Sequence, residues 1–159
     1  MFKKALRYGL TTIIMIILIV PFILKPIKVK GNSMYPVLKD GDWVLVSKIS
    51  YIFSKPRRGD IIVFDLPNLN RNKKYFIKRI IGLEKETIEI KFGKIYINNA
   101  ILHECYGYSS ISDSFYKRII PIHNFFVLGD NRRISVDSRY EDIGFVDRSQ
   151  IIGKIILEW

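Results

Sequence analysis

Cysteine and histidine are scarce in this sequence, and their scarcity argues against two kinds of site. The single cysteine, Cys105, cannot form an intrachain disulfide, so a folded domain must rely on its own core, which a chain with 48% hydrophobic residues can supply. We interpret Cys105 as a small buried or half-buried apolar residue. His103 and His123 lack the spacing of metal ligands, and we expect both at surface or half-buried positions. Glycine-rich phosphate loops, internal repeats and low-complexity tracts are also absent.

Acidic residues are absent from residues 1–39, and this asymmetry bears on what the chain can bind. The whole chain carries a formal net charge of +11. A basic surface suits nucleic acid and anionic lipid headgroups equally well. The apolar segment described next favours anionic lipid as the partner of this surface, and we expect no nucleic-acid partner. The basic residues of the acid-free region are Lys3, Lys4, Arg7, Lys25, Lys28, Lys30 and Lys39.

Residues 8–24, "YGLTTIIMIILIVPFIL", are uncharged and predict a transmembrane helix. Such a helix is about 26 Å long, slightly less than the roughly 30 Å hydrocarbon core, and flanking Lys and Arg side chains can reach the interface. A cleavable signal peptide has a similar pattern, but the following "ILKPIKVKG" lacks the small residues of a cleavage site, so we predict an uncleaved anchor. The basic residues before it favour a cytoplasmic N-terminus, although those after it reduce the asymmetry. We divide the chain into residues 1–25, with the anchor, and residues 26–159, the main domain.

After the anchor, short β-type runs alternate with turn signals, which predicts an all-β barrel or sandwich. "IKFGKIYIN" indicates a hairpin around Phe92-Gly93, and Asn98-Asn99 a second turn. Residues 99–123 have the weakest pattern and are interpreted as an excursion from the main sheet. The expected strands are 42–48, 60–66, 75–81, 86–92, 94–98, 124–129 and 150–159, and the turn signals between them include "PNLNRNKK".

"KGNSMYP" (30–36) holds a serine in a tight turn close to the anchor. Most serines in turns only bond their own backbone. Here Gly31 allows close approach of the backbone to a ligand, and Pro36 fixes the direction of the chain. Such a turn can present a hydroxyl beside free N–H groups, although Ser33 still needs a base to become a good nucleophile.

Lys78 is the candidate base, and two interpretations of it are open. Strand alternation in "YFIKRII" places Phe76, Lys78 and Ile80 on one face. Lys78 is then either an edge residue whose ammonium reaches solvent or a desolvated amine with a lowered pKa. From position alone, the first interpretation is favoured.

"GDNRRISVDSR" (129–139) follows the apolar run "FFVL". It is either a polar loop closed by an Asp137–Arg139 ion pair or a loop that offers a serine hydroxyl to hold a neutral lysine amine.

Together these stretches resemble the type I signal peptidases, membrane-anchored serine proteases that remove signal peptides from exported proteins. "GNSMYP" is similar to the family's nucleophile motif, "RGDIIVF" (58–64) to its structural strand, "KRIIG" (78–82) to its lysine motif and "GDNRRISVDSR" to its last motif. The four occur in the family's order and extend over almost the whole chain, from the anchor to "IIGK".

The resemblance implies an all-β catalytic domain of the signal peptidase type with a Ser-Lys dyad. Ser33 is then the nucleophile and Lys78 the general base. Ser135 is expected to hydrogen-bond to the Lys78 amine and orient it, and Asp137 and Arg139 to form a supporting ion pair. The residues expected to shape the same loop are Asp130, Asn131 and Arg132.

The resemblance also assigns the oxyanion hole and the substrate pockets. The backbone N–H of Ser33 is the expected oxyanion donor. Some members of the family have a serine two residues before the nucleophile, where this chain has Gly31. The second donor stays open between a backbone group and water, and Gly31 is the candidate residue. Val29 and Ile77 match positions that line shallow pockets for Ala, Gly or Ser at the −1 and −3 positions of the substrate.

The implied reaction is cleavage of preproteins after a small residue, at an Ala-x-Ala-like site, through an acyl-enzyme. No metal or organic cofactor is implied. The expected partners are secretory preproteins and anionic membrane lipid, and we expect a monomer. The implied location is the cell membrane, crossed once, with a cytoplasmic N-terminus and the catalytic domain outside the cytoplasm.

Two departures and two alternatives accompany this interpretation. Residues 84–86, "EKE", stand where the family often has Pro-Gly-Asp, and Asn98-Asn99 replaces its usual Asn-Gly turn. One alternative is a self-cleaving repressor-type Ser-Lys protease, which needs a DNA-binding domain that residues 1–25 do not supply. The other is a catalytically degenerate anchored β-domain that binds lipid or preprotein, whose mark would be loss of Ser33, Lys78 or Ser135.

Overall fold

A computed structural model describes residues 2–66 and 75–158. The expected turn "PNLNRNKK" and the last residue of the expected strand 150–159 lie outside this part of the chain. A short 3-10 turn, Arg148–Gln150, precedes the last strand. The helices and strands are α1 (Phe2–Ile23), β1 (Leu24–Lys28), β2 (Trp43–Ser47), α2 (Ser50–Phe53), β3 (Ile61–Asp65), β4 (Tyr75–Gly82), β5 (Thr87–Lys91), β6 (Lys94–Ile97), β7 (Ala100–Ile101), β8 (Phe115–Ile119), β9 (Asn124–Leu128), β10 (Val146–Asp147) and β11 (Ile151–Glu158).

The N-terminal helix α1 extends over almost all of the segment that the sequence predicts as an anchor and continues directly into β1. The first strand begins at Leu24, so the predicted boundary at residue 25 falls inside it. Within the described part of the chain, no helix has both the length and the apolar character required to cross a membrane.

Seven strands form one antiparallel sheet in the order β1-β2-β11-β3-β4-β9-β10. Its central strands β3, β4 and β9 carry Ile, Val and Phe on both faces, and most of these side chains are fully buried. One core cluster lies between β3, β4, β9 and β10. Another packs Met34 and Leu38, from the turn after β1, against β2, β3 and β11. This second cluster fixes the turn that carries Ser33 to the sheet.

The remaining four strands form a smaller sheet in the order β7-β6-β5-β8. Phe92 and Gly93 both have positive φ values, 52° and 70°, so the tight turn joins β5 and β6 as predicted. Asn98 and Asn99, with φ of 51° and 69°, likewise form the predicted second turn. The mainly β prediction is therefore confirmed.

All seven expected strands are present, whereas four others were not expected. β1 was missed because its Lys and Pro residues directly follow the apolar run of the helix. β8, "FYKRI", was missed because most of its side chains are exposed, so it has no apolar alternation. β7 and β10 are only two residues each and pair with longer strands.

The excursion at residues 99–123 contains β7 and β8 and reaches the loop that follows β9. Tyr108 N–H donates to the carbonyl of Asp130 at 2.7 Å, and the N–H of Arg132 donates to the carbonyl of Tyr108 at 3.1 Å. The interpretation of Cys105 as a buried or half-buried residue is wrong, because its side chain is exposed on this excursion. His103 and His123 are exposed, as expected.

Candidate active site

Ser33 lies in a turn that is held on both sides by polar contacts. Gly31 has a φ of 83°, which a side chain would strain, and its N–H donates to Asp40 Oδ1 at 2.7 Å. The carbonyl of Ser33 accepts the N–H of Asn131 at 3.0 Å. Met34 beside it is buried in the core. The backbone of Ser33 is thus fixed, while its hydroxyl lies at a half-exposed position.

Lys78 lies in the middle of β4, opposite Ile62 of β3. Only 4% of its surface is exposed, and its Nζ donates to Ser33 Oγ at 2.6 Å. The interpretation of Lys78 as an edge residue that extends to solvent is therefore wrong. The turn that carries Ser33 lies against this face of β4, so the amine contacts the serine hydroxyl at the edge of a groove.

Burial lowers the pKa of Lys78 from its ordinary 10.5 to about 8. Desolvation is the largest cause, because low dielectric disfavours the ammonium form. The carboxylates of Asp137 and Asp130 oppose this effect and favour the charged form. A substantial neutral fraction is then available slightly above neutral pH, which a proton acceptor needs.

The loop after β9 is built on two ion pairs. Asp130, fully buried, pairs with the guanidinium of Arg79 on β4, with Arg79 Nε at 2.8 Å from Asp130 Oδ1. The expected pair of Asp137 and Arg139 is present, with Arg139 Nε at 2.8 Å from Asp137 Oδ1. Arg139 also donates to the carbonyl of Ser135 at 2.9 Å. These contacts fix the loop against the strand that carries Lys78.

Ser135 is the one expected contact partner of Lys78 that the structure does not connect to it. The Ser135 hydroxyl is buried, and it has no hydrogen-bond partner among the described residues. It nevertheless lies beside the segment that carries Ser33: a Cβ placed on Gly129 would be 2.2 Å from Ser135 Oγ and 2.4 Å from the carbonyl oxygen of Ser33. The Lys78 amine donates to Ser33 Oγ instead.

The backbone N–H of Ser33 has no acceptor within the described residues, so it can donate to a substrate oxygen. Gly31 is different, because its N–H is occupied by Asp40 Oδ1. The expectation that Gly31 contributes to the oxyanion hole is therefore not supported. We identify one backbone donor in position, that of Ser33.

A groove of about 500 Å³ opens beside Ser33 and Lys78. Val29 and Ile77, the two expected pocket residues, both line it. The other apolar side chains of its wall, which the sequence interpretation did not identify, are Ile27, Met34, Phe76, Ile134 and Val136. We call this the acyl groove. It is mostly apolar and can hold an extended peptide next to the serine hydroxyl.

Gly129 and Arg79 are further residues of the site that the sequence interpretation did not assign. Gly129 provides the space in which the Ser135 hydroxyl and the Ser33 carbonyl approach each other. Arg79 follows Lys78 directly in the lysine motif, so its position was known from the sequence. Its ion-pair partner could not be predicted, because Asp130 is distant in the chain. Only the fold brings the two together.

The site therefore combines a serine hydroxyl, a buried amine with a lowered pKa, a free backbone donor and an apolar groove. These are the parts that acyl transfer to a serine requires, and they define the class of a serine endopeptidase.

Comparisons with known proteins agree with this class. The family described as "Signal peptidase, peptidase S26" matches residues 2–159. The chain is 40% identical to signal peptidase I of Leptolyngbya laminosa over 139 residues, which are 82% of this chain and 66% of the relative. It is 36% identical to signal peptidase I S of Bacillus subtilis over 152 residues, 89% of this chain and 79% of the relative.

A solved structure is similar as well. The crystal structure of a signal peptidase I from Enterococcus faecalis aligns with a TM-score of 0.55 and 35% identity, and the alignment extends over 65% of this chain and 98% of that one. The chain thus belongs to the signal peptidase family, peptidase S26. The predicted family is confirmed, and neither the repressor-type nor the non-catalytic alternative is favoured.

Proposed function

We propose that the protein is a signal peptidase I, a serine endopeptidase that removes N-terminal signal peptides from exported preproteins with a Ser33–Lys78 dyad. The observation that carries the mechanism is the 2.6 Å distance between Lys78 Nζ and Ser33 Oγ at a site where the amine is almost fully buried. The family membership supports the substrate class.

The first half of the reaction forms an acyl-enzyme. Neutral Lys78 accepts the Ser33 proton while Ser33 Oγ attacks the carbonyl carbon of the scissile bond. The N–H of Ser33 stabilises the oxyanion of the tetrahedral intermediate. The protonated amine of Lys78 then donates its proton to the leaving nitrogen, the C–N bond breaks, and the mature chain departs with a free amino end.

The second half releases the signal peptide. Neutral Lys78 accepts a proton from a water molecule, whose oxygen attacks the ester carbon. The ester bond to Ser33 Oγ breaks, and the serine recovers its proton from the amine. The signal peptide leaves with a free carboxyl end, so one water is consumed in each cycle.

The loop after β9 is assigned the role of positioning the amine. We assign the Ser135 hydroxyl as an alternative partner of the Lys78 amine during the cycle, because it is buried beside the backbone of Ser33 and has no partner among the described residues. Asp137 and Arg139 hold the backbone of this loop through their ion pair and the Arg139 contact to the Ser135 carbonyl.

Specificity for small residues is assigned to the acyl groove. Val29 and Ile77 line it together with Ser33. Side chains larger than Ala, Gly or Ser at the −1 and −3 positions would overlap with them, because displacing packed apolar side chains costs free energy. We propose an Ala-x-Ala-like cleavage site on this basis.

We further propose that residues 8–24 anchor the protein in the cell membrane in a single pass, with the catalytic domain outside the cytoplasm. The proposal is supported by the uncharged, Ile-rich sequence of this segment and the basic residues before it. Exposed apolar side chains near the helix junction would contact lipid, and the basic surface would favour anionic headgroups. They are Phe22, Trp43, Ile52, Phe53, Ile156 and Leu157. We propose a monomer.

The experiment that tests the function measures cleavage of a preprotein by the purified full-length chain. Ser33→Ala and Lys78→Ala are each expected to abolish cleavage and to remain folded, with a cooperative thermal unfolding transition. The matched controls Ser112→Ala and Lys55→Ala change exposed residues and should process the preprotein at the wild-type rate. Cleavage by Lys78→Ala at a near wild-type rate would refute the dyad.

A further inference from the structure

A second cavity of about 480 Å³ adjoins the acyl groove. The two share the lining residues Asn32 and Ile134, and Asn32 directly precedes Ser33 in the chain, so they meet beside the turn that carries the serine. We call this second cavity the exit cavity. Its lining residues are Asn32, Tyr35, Lys39, Asp40, Tyr108, Asn131 and Ile134.

We propose that the exit cavity binds the first residues of the mature chain, those that follow the scissile bond. The inference rests on the proposed function and adds a binding site to it. A peptide whose carbonyl lies at Ser33 Oγ must extend in both directions. Its acyl side is assigned to the groove with Val29 and Ile77, and its leaving side is assigned to the adjoining exit cavity.

Two tyrosines form an aromatic wall of the exit cavity. The rings of Tyr35 and Tyr108 meet edge to face, with centroids 5.2 Å apart and an interplanar angle of 80°. They are 36% and 48% exposed, so both have free surface to offer a ligand. Tyr35 comes from the nucleophile turn and Tyr108 from the excursion.

The backbone of Tyr108 is fixed relative to the nucleophile. It forms hydrogen bonds with Asp130 and Arg132, and the intervening Asn131 donates to the Ser33 carbonyl. The excursion is also tied to this loop by an ion pair of Glu104 and Arg132. A wall held in this way can set the direction in which the leaving segment extends, because its position depends on the same loop that holds Ser33.

The chemistry of the exit cavity differs from that of the acyl groove. Its walls carry two carboxamides, two phenol hydroxyls, a carboxylate and an ammonium group, which can donate and accept hydrogen bonds. The preferred ligand is therefore an extended segment with a hydrogen-bonding side chain, such as Ser, Asn or Asp, in its first two positions. The boundary between apolar and polar walls then coincides with the bond that is cleaved.

The test compares two substrates with one signal-peptide sequence. One is a peptide with five residues after the scissile bond, and the other is a methyl ester that ends at the scissile carbonyl. For Tyr108→Ala we expect kcat/KM to fall about tenfold on the peptide and to stay within twofold on the ester, after subtraction of the Ser33→Ala rate. Tyr116→Ala, at an 89% exposed position of β8, is the matched control and should leave both values unchanged.

Several outcomes overturn the inference. Equal losses on peptide and ester mean that Tyr108 only supports the fold, and no loss on either means that the cavity does not bind the leaving side. In both cases a wild-type enzyme that cleaves the peptide leaves the proposed function intact. Failure of the wild type to cleave either substrate overturns the proposed function and this inference together.

A peptide panel supplies a second readout. Wild type is expected to cleave peptides with Ser, Asn or Asp directly after the scissile bond at least fivefold faster than the peptide with Leu. In Tyr108→Ala this preference should decrease. A wild type without preference, or a variant with the full preference, contradicts the assignment.

Discussion

At the scale of single residues, Lys78 couples the chemistry of the site to the stability of the fold. Its pKa in the folded state is about 8, below the ordinary 10.5. The unfolded chain therefore binds more protons than the folded one between these values, so stability increases as the pH rises through this window. Below about pH 8 the cost of keeping a buried ammonium is fully present.

This linkage predicts the effect of Lys78→Met, which keeps the length of the side chain and removes its charge. Because a one-unit difference in pKa corresponds to about 1.4 kcal/mol, we expect the variant to be more stable than wild type at pH 7, by on the order of 3 kcal/mol. The difference should decrease toward pH 10.5. Urea denaturation at both pH values measures it, and a difference that does not change with pH would show that the amine is not desolvated.

The role of Gly129 follows from the small space around its Cα atom. A methyl group there would lie 2.2 Å from Ser135 Oγ and 2.4 Å from the backbone carbonyl of Ser33, which cannot move without moving the nucleophile. We expect Gly129→Ala to lose about 2 kcal/mol of stability and nearly all activity. Gly9→Ala, at a glycine with open space around it, is the control. Retention of full activity by Gly129→Ala would contradict this packing.

At the scale of elements, the sequence predicted the strands with apolar alternation and missed those without it. β3, β4 and β9 were identified because Ile, Val and Phe recur in them at short intervals. β8 was missed because its surface is mostly solvent-exposed, so its sequence has no reason to alternate. The contacts Arg79–Asp130 and Asn131–Ser33 join residues far apart in the chain, and local patterns do not indicate such pairs.

The excursion is joined to the loop after β9 by the ion pair of Glu104 and Arg132. Side-chain exposure is 15% for Glu104 and 2% for Arg132, so removal of the carboxylate leaves a buried guanidinium without its partner. We expect Glu104→Ala to lose about 3 kcal/mol in the free energy of unfolding, measured by urea denaturation. Glu141→Ala, at an exposed position, should change it little. A similar small change in both variants would mean that the pair does not hold the excursion.

At the scale of the whole molecule, the proposed membrane anchor rests on the uncharged segment and the basic surface. We expect the full chain to stay in the membrane fraction after alkaline carbonate extraction, and a variant without residues 2–22 to be released. Protease added to intact spheroplasts should degrade the catalytic domain if it lies outside the cytoplasm. Extraction of the full chain by carbonate would contradict the proposed anchor, and protection from the protease would contradict the proposed orientation.

The overall class was predictable from four short motifs in order, whereas the arrangement of the site was not. Ser33 and Lys78 were named from their motifs, yet position alone favoured a solvent-reaching lysine. The contact that decides otherwise comes from the turn that carries Ser33, which the fold places against Lys78. The exit cavity could not be predicted from the sequence. It lies between the turn that carries Ser33 and an excursion whose sequence has almost no strand or helix pattern.

The central claim is that burial lowers the pKa of the Lys78 amine, so that a neutral fraction is available slightly above neutral pH to accept the Ser33 proton. The most direct measurement is an NMR titration of the full-length protein in detergent micelles with ¹⁵N-labelled lysine side chains, in which the Lys78 signal is assigned by its loss in Lys78→Met. We predict a pKa of about 8 for Lys78. A value near 10.5, in the ordinary range of exposed lysines, would contradict the account, because the amine would then be charged and unable to accept a proton.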